Sequence, residues 1–210
     1  VFREPARVEL IMVQALNYLK ETASQTAGPY VHIGLAPGDA GFDIYARELG
    51  RDITGPNALG KRITVTGRVI DGTGAPVKDV LIEVWQANAK GVYPGSGDVE
   101  DGFRGWGRVI PDFGTGAYSF ETVKPGAVQG RNDRPMAPHL NLWLVARGIN
   151  IGLNTRMYFD DEETANAADP VLNLIEQTHR RNTLIARAEG NTYHFDIRLQ
   201  GDGETVFFDL

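Results

Sequence analysis

From residue 61 onward the chain alternates apolar and polar positions with a period of two. Arg62-Ile63-Thr64-Val65-Thr66-Gly67-Arg68-Val69-Ile70 is rich in β-branched residues and reads as a half-buried strand. After the turn signal Asp71-Gly72-Thr73-Gly74, residues 80–87 (VLIEVWQA) repeat the pattern. Further strands are predicted over 117–122, 140–146, 153–159, 193–200 and 205–210. Helical spacing is confined to 161–167 and 171–188, the second with Leu172, Ile175, Leu184 and Ile185 apolar and Arg180, Arg181 and Arg187 charged. Upstream, Gly28-Pro29 forbids regular structure, so residues 24–30 form a shaped loop that leads into a short strand over 31–35. Residues 36–60 read as an irregular connection with one short helix near 42–49, and residues 88–116 as a long loop rich in Gly and Asp. The predicted fold class is mainly β, a single antiparallel β-sandwich over residues 24–210 with long loops and short helices. Residues 1–23 form an N-terminal extension, with 13–23 a short helix or a loosely docked arm and Met12 a candidate natural start.

Composition agrees with one globular domain: 210 residues, 42% hydrophobic and 23% charged. The net charge of −6 argues against a nucleic-acid partner, and no basic cluster interleaved with aromatics overturns that. There is no cysteine, which excludes disulfides, thiolate metal sites and thiol nucleophiles and suits the cytoplasm. No stretch is apolar for long enough to span a bilayer, so no membrane partner is expected. Glu4, Arg7, Glu9 and Gln14 interrupt the N-terminal apolar residues, unlike a signal peptide.

The residues with chemical potential are few. Nothing resembles a nucleophile elbow, and Gly72-Thr73-Gly74 lies between strands as a turn rather than a phosphate loop. Asp160-Asp161-Glu162-Glu163 precede a helical stretch and are expected to cap it and complement its dipole. His179 beside Arg180-Arg181 is expected on an exposed face, His194 as a structural histidine in a strand, and His32 either way. His139 opens the strand Leu140-Asn141-Leu142, a position from which a side chain can point into a cleft. Tyr93 begins the long loop after a core strand, where an aromatic plug is the plain alternative to a site role.

Several strings together resemble one family. Leu81-Ile82-Glu83-Val84-Trp85-Gln86-Ala87-Asn88 with Gly91-Val92-Tyr93, then Thr122-Val123-Lys124-Pro125-Gly126, then Pro138-His139, are similar to the core of the intradiol ring-cleaving dioxygenases. That resemblance implies a ferric ion held by two tyrosines and two histidines, which activates a bound catecholate for attack by O2. Tyr93 matches the first tyrosine and His139 the first histidine. The second tyrosine position carries Val128 and the second histidine position Asn141. Valine cannot ligate, and a neutral amide is a poor replacement for imidazole on a transition metal. Two donors of four do not make an iron site, so no metal is expected on this chain.

Losing the ligands while keeping the scaffold resembles the iron-free subunit of the two-chain members of the family, in which Fe(III) belongs to a partner chain. The strings Ser24-Gln25-Thr26-Ala27-Gly28-Pro29-Tyr30-Val31-His32-Ile33-Gly34, Ala146-Arg147-Gly148-Ile149-Asn150-Ile151 and Tyr158-Phe159-Asp160-Asp161 carry this part of the resemblance, as do Pro170-Val171-Leu172-Asn173 and Gly203-Glu204-Thr205-Val206-Phe207-Phe208-Asp209. It implies a catalytic pocket at the interface of the two chains, to whose wall this chain lends Thr26, Gly28, Pro29, Tyr30 and Arg147. Gly28-Pro29 is stiff and slim enough to approach a flat ring, Tyr30 offers a hydroxyl, and Arg147 is a permanent cation suited to a carboxylate-bearing catechol. The plain alternative for Arg147 is an interchain salt bridge. Two other readings compete: a non-enzymatic transthyretin-like β-sandwich binding module, which leaves the Gly28-Pro29-Tyr30 loop unexplained, and a self-sufficient iron enzyme recruiting His32, against which Val128 and Asn141 speak.

Overall fold

The computed structural model describes residues 25–209; the expected arm over 1–23 lies outside the described residues. Alternation makes the strands where β-branched and aromatic residues recur. In β1 (Arg62–Ile70) the side chains of Ile63, Val65 and Val69 are buried, and in β4 (Ala117–Val123) those of Tyr118 and Phe120 are. The same rule sends Ile82 and Val84 of β2 (Leu81–Gln86) inward, together with Leu140, Leu142 and Leu144 of β7 (His139–Val145) and Met157 and Phe159 of β8 (Leu153–Phe159).

Among the described residues nine strands form one continuous hydrogen-bonded sheet. It runs from β3 (Trp106–Val109) through β2, β7, β8, β9 (Ile185–Glu189) and β10 (Thr192–His194) to β1, which β4 and β11 (Ile197–Arg198) also flank. Strand β9 belongs to both halves: Ile185 and Ala186 pair with β8, while Arg187, Ala188 and Glu189 pair with β10. The path therefore folds over at β9, and the apolar faces of the two halves meet in one core containing Val65, Tyr118, Tyr193 and Ile197 from one side and Ile82, Val84, Leu142, Leu144 and Met157 from the other. A small ribbon, β5 (Val128–Gln129) with β6 (Pro135–Met136), leads into β7.

The mainly β expectation holds, but the sandwich is not purely antiparallel. Strand β1 pairs parallel with β10 and β11, and β8 pairs parallel with β9. Other local expectations fail for identifiable reasons. Residues 31–35 form helix α1 (Val31–Leu35), not a strand: Gly34 N–H donates to Tyr30 O and Ala36 N–H to His32 O, and Ala36 packs on Leu81. No helix forms over 42–49, where Phe42, Ile44 and Tyr45 stand exposed in irregular chain and Leu49 in a turn. Strand β3 interrupts the supposed long loop because Trp106–Val109 adds to the edge of β2. Over 161–167 a 3-10 turn and α2 (Glu163–Ala168) form as expected, whereas 171–188 breaks into 3-10 turns, α3 (Thr178–Arg181) and then β9. Over 193–200 the strand divides into β10 and β11. Residues 205–209 contribute one bridge, Asn154 with Phe208, rather than a strand.

The acids at 160–163 make no side-chain cap, although Asp160, Asp161 and Glu162 lie in the first turn of the 3-10 helix and Glu163 in that of α2, where they complement the dipole. Asp161 and Glu162 grip Lys124 Nζ at 2.9 and 2.6 Å, and Asp160 accepts from Ala188 N–H at 3.0 Å. Burial works against the charge on Lys124, but Glu162 and Asp161 outweigh it and hold its pKa above the usual lysine value. Among the described residues no helix is long and apolar enough to cross a membrane.

Candidate functional site

The outward face of β2, β7 and β8 carries the residues that the sequence singled out. Because side chains alternate, Glu83 and Trp85 of β2 share this face with His139, Asn141 and Trp143 of β7 and Arg156 and Tyr158 of β8. His139 is completely buried there, beneath a second apolar cluster formed by Ala137, Tyr158, Leu172 and Leu184.

Tyr93 is brought to this face by a tightly built loop. Asn88 at the end of β2 uses its Oδ1 to accept the N–H groups of Lys90 and Val92, each at 3.0 Å, and its Nδ2 donates to Glu100 Oε2 at 2.9 Å. Gly91 has φ +79°, and a Cβ there would stand 1.8 Å from Ala127 O, so only glycine allows the loop to lie on the Lys124-Pro125-Gly126-Ala127 backbone. Tyr93 then stacks on Trp85 at 5.6 Å between ring centroids.

The polar atoms form a directed chain. His139 Nδ1 lies 2.7 Å from Ala137 O, and a carbonyl only accepts, so this nitrogen carries the proton and Nε2 is bare. Tyr93 Oη donates to Nε2 at 3.2 Å, and Asn141 Nδ2 donates to Tyr93 Oη at 2.8 Å. Burial pushes the His139 pKa down to about 4, and the charge of Arg156 adds to the effect. Burial also raises the Tyr93 phenol, against the pull of Asn141 and Arg156. At neutral pH the chain therefore consists of neutral groups. Arg156 Nη1 sits 3.4 Å from Tyr158 Oη, whose hydroxyl donates to Asp169 Oδ1 at 3.2 Å. The buried Asp169 carboxylate also takes the N–H groups of Ala137, Val171 and Leu172, each at 2.8 Å, and so fixes the segment before His139.

These residues do not fit a ferric ion. Tyr93 and His139 supply two donors, Asn141 turns an N–H toward the phenol, and Val128 is a buried hydrocarbon in β5. Arg156, directly opposite Asn141 in register, adds positive charge where an Fe(III) site needs anions. His32 does not complete the set: it lies in α1 against Phe113, at 5.0 Å between ring centroids, on the segment that packs over Leu81 and Val145.

A second group gathers at the far end of the same face. Thr26 Oγ1 accepts Gly148 N–H at 2.9 Å and donates to Ala146 O at 3.2 Å, so it clasps the turn that carries Arg147. That turn closes with Ile149 N–H on Ala146 O, and Gly148 at φ +82° supplies the left-handed residue such a turn requires. Gly28, Pro29 and Tyr30 follow from Thr26, with Tyr30 73% exposed. Arg147 is largely exposed, with its Nε 2.5 Å from Asp79 Oδ2. Six residue steps lead from Asn141 to Arg147, the last two beyond the end of β7, and separate the two groups by about 20 Å. No single small ligand touches both on one copy of this chain. Sequence reasoning missed Asp79 and Arg156, which become visible only when the strand register sets them opposite Arg147 and Asn141.

The dioxygenase family model matches residues 43–201, and the chain belongs to this family, whose intradiol members depend on iron. Over 199 residues it is 52% identical to the protocatechuate 3,4-dioxygenase alpha chain of Pseudomonas putida, covering 93% of this chain and 99% of that one. It is 38% identical over 161 residues to the protocatechuate 3,4-dioxygenase beta chain of Burkholderia cepacia, covering 70% of this chain and 68% of the relative. Among solved structures, 3-chlorocatechol 1,2-dioxygenase from Rhodococcus opacus 1CP shares the fold, with a TM-score of 0.54 at 19% identity over 73% of this chain and 68% of that one.

Proposed function

We propose that this chain is the iron-free alpha subunit of a protocatechuate 3,4-dioxygenase. With a beta chain that holds Fe(III), it cleaves protocatechuate between its two hydroxylated carbons, taking up both atoms of O2 to give 3-carboxy-cis,cis-muconate in aromatic catabolism. The observation that carries the reading is the 52% identity to an alpha chain across nearly the whole length. The geometry agrees with it. The positions that would bind iron here are closed by the Asn141–Tyr93–His139 hydrogen-bond chain, while Thr26, Gly28, Pro29, Tyr30 and Arg147 stand at the surface about 20 Å away, as a wall for a pocket completed by the partner.

In that pocket the work of this chain is binding and orientation. The planar guanidinium of Arg147 can hold the substrate carboxylate through two parallel N–H bonds, which fixes the ring as well as neutralising its charge. Gly28-Pro29 lets the backbone lie close to the ring face, and Tyr30 offers a hydroxyl. The chemistry of O2 belongs to the iron on the partner.

Metal analysis of the chain expressed alone tests the first half: stoichiometric ferric iron with tyrosinate colour would overturn it. In the complex, Arg147→Ala should raise KM for protocatechuate about 10- to 100-fold, the loss of one charge-assisted pair, with iron content unchanged. Loss of iron in that variant would count against a wall role.

A further inference from the structure

The ladder between β2 and β7 pairs Leu81 with Val145, Glu83 with Trp143 and Trp85 with Asn141. Carried two residues past its end, the same register sets Asp79 opposite Arg147, on the same face of the sheet. The side chains meet there, Arg147 Nε lying 2.5 Å from Asp79 Oδ2. The partners are unequal. Asp79 keeps 14% of its side-chain surface and Arg147 keeps 63%. Asp79 Oδ2 is buried and accepts no hydrogen bond among the described residues, so its contact with Arg147 is one of charge at close range. A buried carboxylate oxygen is costly to leave uncompensated, so the pair is pinned from the Asp79 side.

A guanidinium presents five N–H groups in one plane. Nε is the atom set against Asp79, and the edge formed by Nη1 and Nη2 makes no hydrogen bond among the described residues; that edge matches a carboxylate. Thr26 clasps the backbone of the Arg147 turn on both sides of the residue. Backbone and side chain are thus fixed from two directions.

We propose that Asp79 is a positioning residue for substrate recognition: its ion pair draws the Nε side of Arg147 onto the sheet so that the outer guanidinium edge is presented to the carboxylate of an aromatic acid. This rests on the reading of Arg147 as part of the pocket wall. An exposed arginine without Asp79 must be immobilised at each binding event, which costs about three- to ten-fold in affinity.

The test uses the assembled enzyme with its iron-bearing chain. Asp79→Asn should raise KM for protocatechuate about three- to ten-fold, with kcat and iron content held. Inhibition by unsubstituted catechol, which has no carboxylate, should not move. Asp79→Asn combined with Arg147→Ala should be no worse than Arg147→Ala alone, because Asp79 acts only through the arginine. An unchanged protocatechuate KM in Asp79→Asn beside a raised KM in Arg147→Ala would overturn the proposal and leave the wall reading intact. An equal shift for protocatechuate and catechol would show a merely structural role. An unchanged KM in Arg147→Ala would sink the wall reading itself. Should Asp79→Asn fail to assemble, Arg147→Lys serves instead. Lysine keeps the charge but has no second edge, so KM should rise, and a wild-type KM would refute the geometry.

Discussion

Acidification should unfold this chain through His139. The imidazole is completely buried and its pKa is pushed down to about 4 from an ordinary 6.5, first by burial and then by the charge of Arg156. Between those two values the unfolded chain binds the proton and the folded one does not. Stability is therefore complete above pH 6.5 and drains away as the pH falls toward 4. Each unit is worth about 1.4 kcal/mol, so about 2 kcal/mol is lost by pH 5 and about 3 kcal/mol by pH 4. Urea unfolding of the isolated chain, followed by tryptophan fluorescence from pH 7 to 5, reads the loss directly. His139→Gln removes the titrating group while keeping a polar side chain, so its stability should be nearly flat over that range. The depressed carboxylates of Asp71, Asp112 and Asp161 also lose stability in acid, but their protonation begins lower and is common to both proteins. Parallel stability curves for the two proteins, or a His139 ring titrating near 6.5 by NMR, would refute the reasoning.

Two further outcomes follow from the closed donor set and the loop that builds it. Restoring donors with Val128→Tyr and Asn141→His should still give little ferric iron by metal analysis of the chain alone, because Arg156 stays opposite position 141; adding Arg156→Gln should raise the iron content several-fold. Gly91→Ala puts a Cβ against Ala127 O at a positive φ, so the melting temperature should fall, with a loss above about 1 kcal/mol.

Most of the sheet was legible because β1, β2, β4, β7 and β8 bury one face, and a half-buried strand writes its period into the sequence. The failures share a cause in tertiary pairing. Ile185-Ala186-Arg187-Ala188-Glu189 consists mostly of good helix formers, yet it bridges β8 and β10 as β9. Trp106-Gly107-Arg108-Val109 sits among glycines and becomes a strand only because the edge of β2 offers it hydrogen bonds. Residues 31–35 carry β-branched side chains, yet five residues are too few for propensity to outweigh the packing of Ala36 on Leu81. At the site, Tyr93, His139 and Asn141 could be picked out from spacing and family resemblance. Arg156 and Asp79 could not, since a charged residue on a strand acquires its meaning from whatever lies opposite.

That register also explains why the two ends of one face can differ so much in chemistry. A ferric site is cooperative in its ligands: without one phenolate the charge balance fails, and the remaining donors gain more from bonding to each other than from gripping a weakly held ion. If Val128 and Asn141 occupy two ligand positions, as the proposed function has it, a cation such as Arg156 costs nothing further there, and Tyr93 and His139 are held by hydrogen bonds to each other and to Asn141. The Thr26–Arg147 end answers to a different requirement. It offers a shaped turn and one positive charge, neither of which depends on a metal on this chain, and under the proposed function it serves a centre carried by another polypeptide.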